Sequence, residues 1–143
     1  MTYSIVLRDP VKNHFGIAVA TKHFAVGALV PHLAAGIGAI ATQSTTNPHL
    51  GLQGLAAMAK GQLVQDALEQ ALEQDTSPQK RQVHGVDGHG NSWAWTGAEA
   101  QPWAGHVGGE NFSVAGNCLA GSFVLAACVE SLKLSTDRSL ESR

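Results

Sequence analysis

Cysteine is scarce in this chain: two in 143 residues. Cys118 and Cys128 are too few for a disulfide framework and lack the spacing of a metal knuckle. Both read as small buried hydrophobes, with a reactive thiol at Cys118 the lesser alternative. Charge is sparse as well, with 14% of residues charged and a net charge of −2. The nine basic residues are scattered without a cluster. That excludes a phosphate-binding stripe, and no nucleic-acid partner is expected. No apolar run reaches the roughly 18 residues a membrane-crossing helix needs. The start, TYSIVLRDP, shows neither a basic leader nor a cleavage site, so a cytoplasmic protein with no membrane partner is expected. Seven histidines raise the question of a metal. His84 and His89 flank a turn, and no pair has the helical i, i+4 spacing with an intervening acid that a zinc hydrolase uses. Neither a metal nor a cofactor is expected.

What the chain does have is a 44% hydrophobic composition with sixteen glycines, the make-up of a globular fold with close backbone approaches. One domain over residues 1–134 is expected, with 135–143 a polar tail. The N-terminus carries the clearest local signal. Residues 3–8 and 15–21 are apolar and β-branched runs on either side of the turn DPVKNH, which predicts an antiparallel hairpin. With the turn centred near residues 11–13, paired positions sum to about 24, setting Thr2 opposite Lys22, Ser4 opposite Ala20 and Val6 opposite Ala18. Removal of Met1 would then leave a threonine with a free α-amine beside a lysine. A threonine hydroxyl is a weak nucleophile until a base takes its proton, and a terminal amine can be that base. A neighbouring ammonium would disfavour protonation of the amine and lower its pKa.

Along the rest of the chain, residues 23–36 are apolar but broken by Gly27 and Pro31, and read as a loop or a bent strand crossing the core. Residues 37–43 read as a buried strand. The polar segment 42–48 is either a helix-capping turn or a substrate-contacting loop. Apolar spacings of three and four predict helices over 52–60 and 63–74, separated by Gly61. Alternation around Val83 and Val86, and then Trp93 and Trp95, predicts a second hairpin over a Gly-rich turn. Residues 98–111 read as a loop containing His106, which is weighed as a substrate contact against a surface or capping role. Residues 111–118 read as a strand and 122–134 as an amphipathic helix.

The ordered segments TYSIVLRDP, GIAVATKHFAVGALVP, ATQSTTNP, WTG, WAGH and FSVAGNCLAG resemble the domain of unknown function family 1028 over residues 2 to about 130. That resemblance implies an α+β fold of the Ntn-hydrolase-like type: two antiparallel sheets face to face, with helices outside, in an αββα sandwich. It also implies Thr2 as the nucleophile and Lys22 as its neighbour. An acid near the lysine is common in such enzymes, yet Asp9 lies roughly 23 Å from Thr2 along an extended strand. Family members continue beyond the last helix to complete the sandwich. A shortened sandwich leaves open sheet edges, and a homodimer is expected.

The functional expectation is an amide-bond hydrolase of a small substrate. Thr2, Lys22 and Asn117 form its catalytic set, and Gln43, Ser44, Asn47 and His106 contact substrate. Neutral amides at Asn117, Gln43 or Asn47 would serve a developing oxyanion. The rival expectation is a non-catalytic binding or scaffold protein on the same fold.

Overall fold

The computed structural model describes residues 1–136 and 138–142. Its first element is the expected hairpin, β1 (Thr2–Asp9) and β2 (His14–Thr21). Asp9 Oδ1 accepts from the backbone N–H groups of Val11 at 2.8 Å and Lys12 at 3.2 Å, which closes the turn. Asn13, at φ 51°, supplies the left-handed residue that turns the chain into β2. The closing pair is thus Asp9 with His14, and every pair sums to 23 rather than 24: Thr2 with Thr21, Ser4 with Val19, Val6 with Ile17. The expected partner of Thr2, Lys22, falls one residue beyond the strand and is exposed.

The remaining strands are β3 (Pro31–Ala34), β4 (Gly38–Ser44), β5 (Arg81–Asp87), β6 (Ser92–Thr96), β7 (Gly105–Gly109) and β8 (Phe112–Asn117). They form two antiparallel four-stranded sheets, in the orders β2-β1-β8-β7 and β3-β4-β5-β6. The sheets face each other, β1 against β4, β5 against β8 and β6 against β7. Two of these strands differ from expectation. Residues 31–34 do not cross the core but form an edge strand, and the expected loop 98–111 contains β7, a second edge strand. Glycine-rich and largely exposed, β7 lacks the apolar alternation that marks a strand in sequence.

Helix α1 (Pro48–Met58) begins four residues before its expected start, because Asn47 caps it and Pro48 fits the first turn. Helix α2 (Val64–Glu73) buries Val64, Ala67, Leu68, Ala71 and Leu72, and packs with α1 on the outer face of the second sheet. Helix α3 (Phe123–Leu134) lays Leu125 and Leu132 on the outer face of the first sheet, against Val114. The molecule is therefore α+β in four layers. The expected polar tail includes a short 3₁₀ turn (Leu140–Ser142) that sets Leu140 over Gly16 of β2. Among the described residues no helix is long and apolar enough to cross a membrane.

Between the sheets the packing changes character along the strands. At one end Val6, Val30, Ala39, Ala41 and Val86 make an apolar layer. At the other end the inward positions are Thr2, Ser4, Gln43, Gln82, His84 and Asn117, all buried and all polar.

Candidate functional site

Strand alternation builds the polar end. Residues two apart share a face, so β1 turns Thr2, Ser4 and Val6 inward, as its burial pattern records. Register pairs share that face too. Thr2 is flanked by Thr21 on one side and Asn117 on the other, and Gln43 pairs with Gln82, which pairs with Thr96. The Thr2 and Thr21 hydroxyl oxygens are 2.9 Å apart.

Gln82, fully buried, is the hub. Its Nε2 shares two protons among three acceptors, Thr96 Oγ1 at 2.8 Å, the Gly105 carbonyl at 3.0 Å and the Gly116 carbonyl at 2.9 Å. A carbonyl can only accept, so the amide of Gln82 has one permitted orientation. Its Oε1 then accepts from Gln43 Nε2 at 2.9 Å and from Asn117 Nδ2 at 3.0 Å. With its nitrogen committed, Gln43 presents Oε1 to Ser4, whose hydroxyl donates at 2.9 Å. Ser4 has no second proton, so at 2.7 Å it accepts from His84 Nε2–H, and His84 Nδ1, 3.0 Å from Ser113 Oγ, accepts in turn. Two backbone carbonyls thus set the direction of a chain that crosses between the sheets. His84 is neutral within it. Burial, then the nearby charge of His106, push its pKa down to about 3. On the other branch Thr96 Oγ1 and His106 Nδ1 are hydrogen-bonded at 2.9 Å. Burial lowers the pKa of His106 as well.

The end of this network opens on a cleft of about 270 Å³ lined by Thr2, Thr21, Gln43, Ser44 and Thr46, with Val30 among its apolar walls. Ser44 sits at φ 69°, a strained value for a residue with a side chain. A larger hollow of about 560 Å³ lies on the outer face of the first sheet, among Ile5, Leu7, Ala18 and Leu140. It is apolar and on the opposite side of β1 from the network. The polar network meets the surface at the smaller cleft.

Of the expected site residues, the fold brings Thr2, Gln43 and Ser44 onto one cleft, sets Asn117 beside Thr2, and links His106 to them through Thr96 and Gln82. It does not bring in Lys22 or Asn47. The one-residue register shift removes Lys22 from its expected place opposite Thr2. Asn47 is committed to capping α1, accepting from His49 N at 3.1 Å and donating to Asp75 at 2.6 Å. Asp75, bonded also to Arg81, has its carboxyl held below the usual range by those partners against the opposing effect of burial. Sequence reasoning missed Ser4, Thr21, Gln82 and His84 as members of the network. The available signal was period-two polarity: Thr2 and Ser4 on one strand, Gln82 and His84 on another. Among the described residues no three His, Cys, Asp or Glu side chains gather as a metal site.

The family model described as a family of unknown function, DUF1028, matches residues 2–143. The crystal structure of protein SPO2555 from Silicibacter pomeroyi, assigned to the same family, superposes with a TM-score of 0.93 at 30% sequence identity. The match covers 99% of this chain and 62% of that one, so the chain spans less than two thirds of that protein's length. No curated protein matches.

Proposed function

This chain belongs to the family of unknown function DUF1028, and from that premise we propose that it is an N-terminal-nucleophile hydrolase of a small amide, acting through Thr2. The observation that carries the reading is the position of Thr2: first residue of β1, facing inward, at the mouth of a polar cleft with neutral amides beside it. Met1 is 55% exposed, which makes it accessible for removal. Its loss leaves Thr2 with an α-amine next to its own hydroxyl.

The amine takes the Oγ1 proton as Oγ1 attacks the substrate carbonyl. The Thr21 hydroxyl, 2.9 Å from Oγ1, fixes the rotamer of the attacking group. The tetrahedral oxyanion is met by neutral donors; support for Asn117 among them is its cross-strand pairing with Thr2 and the second Nδ2 proton left over from its bond to Gln82. Collapse passes the proton from the amine to the leaving nitrogen, and water then cleaves the threonyl ester by the same route.

Intact-mass spectrometry first identifies protein shortened by one methionine. Ammonia or amine release from a panel of small linear and cyclic amides is then compared between that protein and Thr2→Ala. The expected result is turnover that disappears in the variant. An unchanged rate removes Thr2 from the mechanism.

A second reading, a binding protein without turnover, is favoured by one observation: the hairpin register sets Thr21 rather than Lys22 opposite Thr2 and leaves Lys22 exposed. Fully retained Met1 would support it. The proposal also includes a homodimer, for which the four sheet edges β2, β7, β3 and β6 are the support. It places the protein in the cytoplasm, consistent with Cys118 and Cys128 being free thiols.

A further inference from the structure

We infer that the cleft at Thr2 selects an uncharged small molecule bearing a carboxamide or ureide group and rejects its carboxylate analogue. The inference deepens the hydrolase reading and rests on it for the place of the scissile bond, but the selection itself comes from the lining. Its polar groups are the hydroxyls of Thr2, Thr21, Ser44 and Thr46 and the amide of Gln43. Each of these can both donate and accept a hydrogen bond, the pattern a carboxamide presents. Among the described residues no Lys, Arg, Asp or Glu lines the cleft; His23 is its one ionisable side chain, joined once Met1 is lost by the Thr2 α-amine, which serves as the base in its uncharged form.

The layer behind the lining is equally free of charge. Gln82 and Asn117 are amides, Ser4 is a hydroxyl, and His84 is held neutral by burial. A carboxylate or phosphate entering here would give up hydration with no side-chain counter-charge to replace it, the Thr2 amine being uncharged in its working form. The positive end of α1, adjacent to Thr46, does not compensate, because Asn47 Oδ1 already accepts from its His49 N–H. Opposite the polar groups stand Val26, Leu29 and Val30, with Phe24 at the rim and 98% exposed. That wall suits a short hydrocarbon part. At about 270 Å³ the cleft has room for roughly nine water volumes, enough for a molecule of the size of N-acetylglycinamide.

N-acetylglycinamide and N-acetylglycine are nearly isosteric and differ by one charge. Backbone amide shifts of the full-length Thr2→Ala protein, which cannot consume the amide in the proposed mechanism, are followed as each is added. The expected result is saturable shifts at Thr21, Ser44 and Thr46 with the carboxamide, and at least tenfold weaker binding of the carboxylate. Gln43→Ala, with dispersed amide signals showing that it folds, is expected to narrow that ratio to less than threefold. Equal or tighter binding of N-acetylglycine, or no shift at the cleft with either probe, overturns the inference. Selective carboxamide binding by a wild-type protein that releases no ammonia overturns the hydrolase reading and leaves the ligand class standing. Turnover without that selectivity does the reverse.

Discussion

His84 sits between two hydroxyls, Ser4 at Nε2 and Ser113 at Nδ1, and is fully buried. Its proton belongs on Nε2 for a reason that lies elsewhere, in the two glycine carbonyls that orient Gln82. Two measurements follow at this scale. Ring nitrogen shifts of His84 are expected to report the Nε2–H tautomer, unchanged from pH 8 to pH 5, while an imidazolium signal in that range would contradict the assignment. An unfolded histidine titrates near 6.5 and native His84 at about 3, so below pH 6.5 the unfolded chain binds the extra proton. Stability therefore falls on acidification, with a slope approaching roughly 1.4 kcal/mol per pH unit from this residue alone. His32 and His106, both lowered by burial, act in the same direction. Denaturation midpoints between pH 6.5 and 4.5, above the range of Asp75, are expected to show the slope, and His84→Gln to reduce it. In the sequence His84 stood out only as a histidine. Its neutrality depends on strands brought in from positions 4 and 113, which no local pattern contains.

The elements were legible where periodicity is strong and illegible where glycine replaces it. Both hairpins, the buried strand at 38–44 and the three helices follow from alternation or helical spacing. The edge strands β3 and β7 do not, because an edge strand buries little and need not alternate. The register of the first hairpin turned on a single residue in a turn whose geometry is set by Asp9 and Asn13 rather than by Pro10. That one residue decides whether a lysine or a threonine faces Thr2. Close approach between elements gives a separate prediction. A Cβ added at Gly85 in β5 would lie 2.8 Å from the Ala39 carbonyl oxygen and 3.0 Å from Ile40 Cγ1. The first of these is neighbouring backbone and cannot swing away, so Gly85→Ala is expected to destabilise the protein by about 1–3 kcal/mol. A denaturant midpoint equal to wild type would show that β4 and β5 can part without cost.

As a whole the molecule is a sandwich whose outer interfaces are greasy and whose inner one is greasy only at one end. The α+β class and the four layers were accessible from the resemblance of ordered segments, and the match to SPO2555 agrees with them at the level of the fold. The shared interior was not, since it exists only once two sheets distant in sequence are stacked. The proposed homodimer is tested at this scale by sedimentation velocity across micromolar concentrations. A concentration-dependent shift towards twice the chain mass is expected, and a monomer throughout would remove the dimer from the proposal.

Because glycine carbonyls offer nothing but lone pairs, the run from Gln82 through Gln43 and Ser4 to His84 admits one ordering of its protons, like dominoes set to fall one way. Exchanging any one member for an isostere of opposite polarity, as Gln82→Glu would, leaves two acceptors or two donors confronting each other somewhere down the line. Inherited change at positions 4, 43, 82, 84 and 113 is accordingly constrained to arrive in compensating sets, so that natural variation in this layer should be correlated even while the surrounding surface drifts freely.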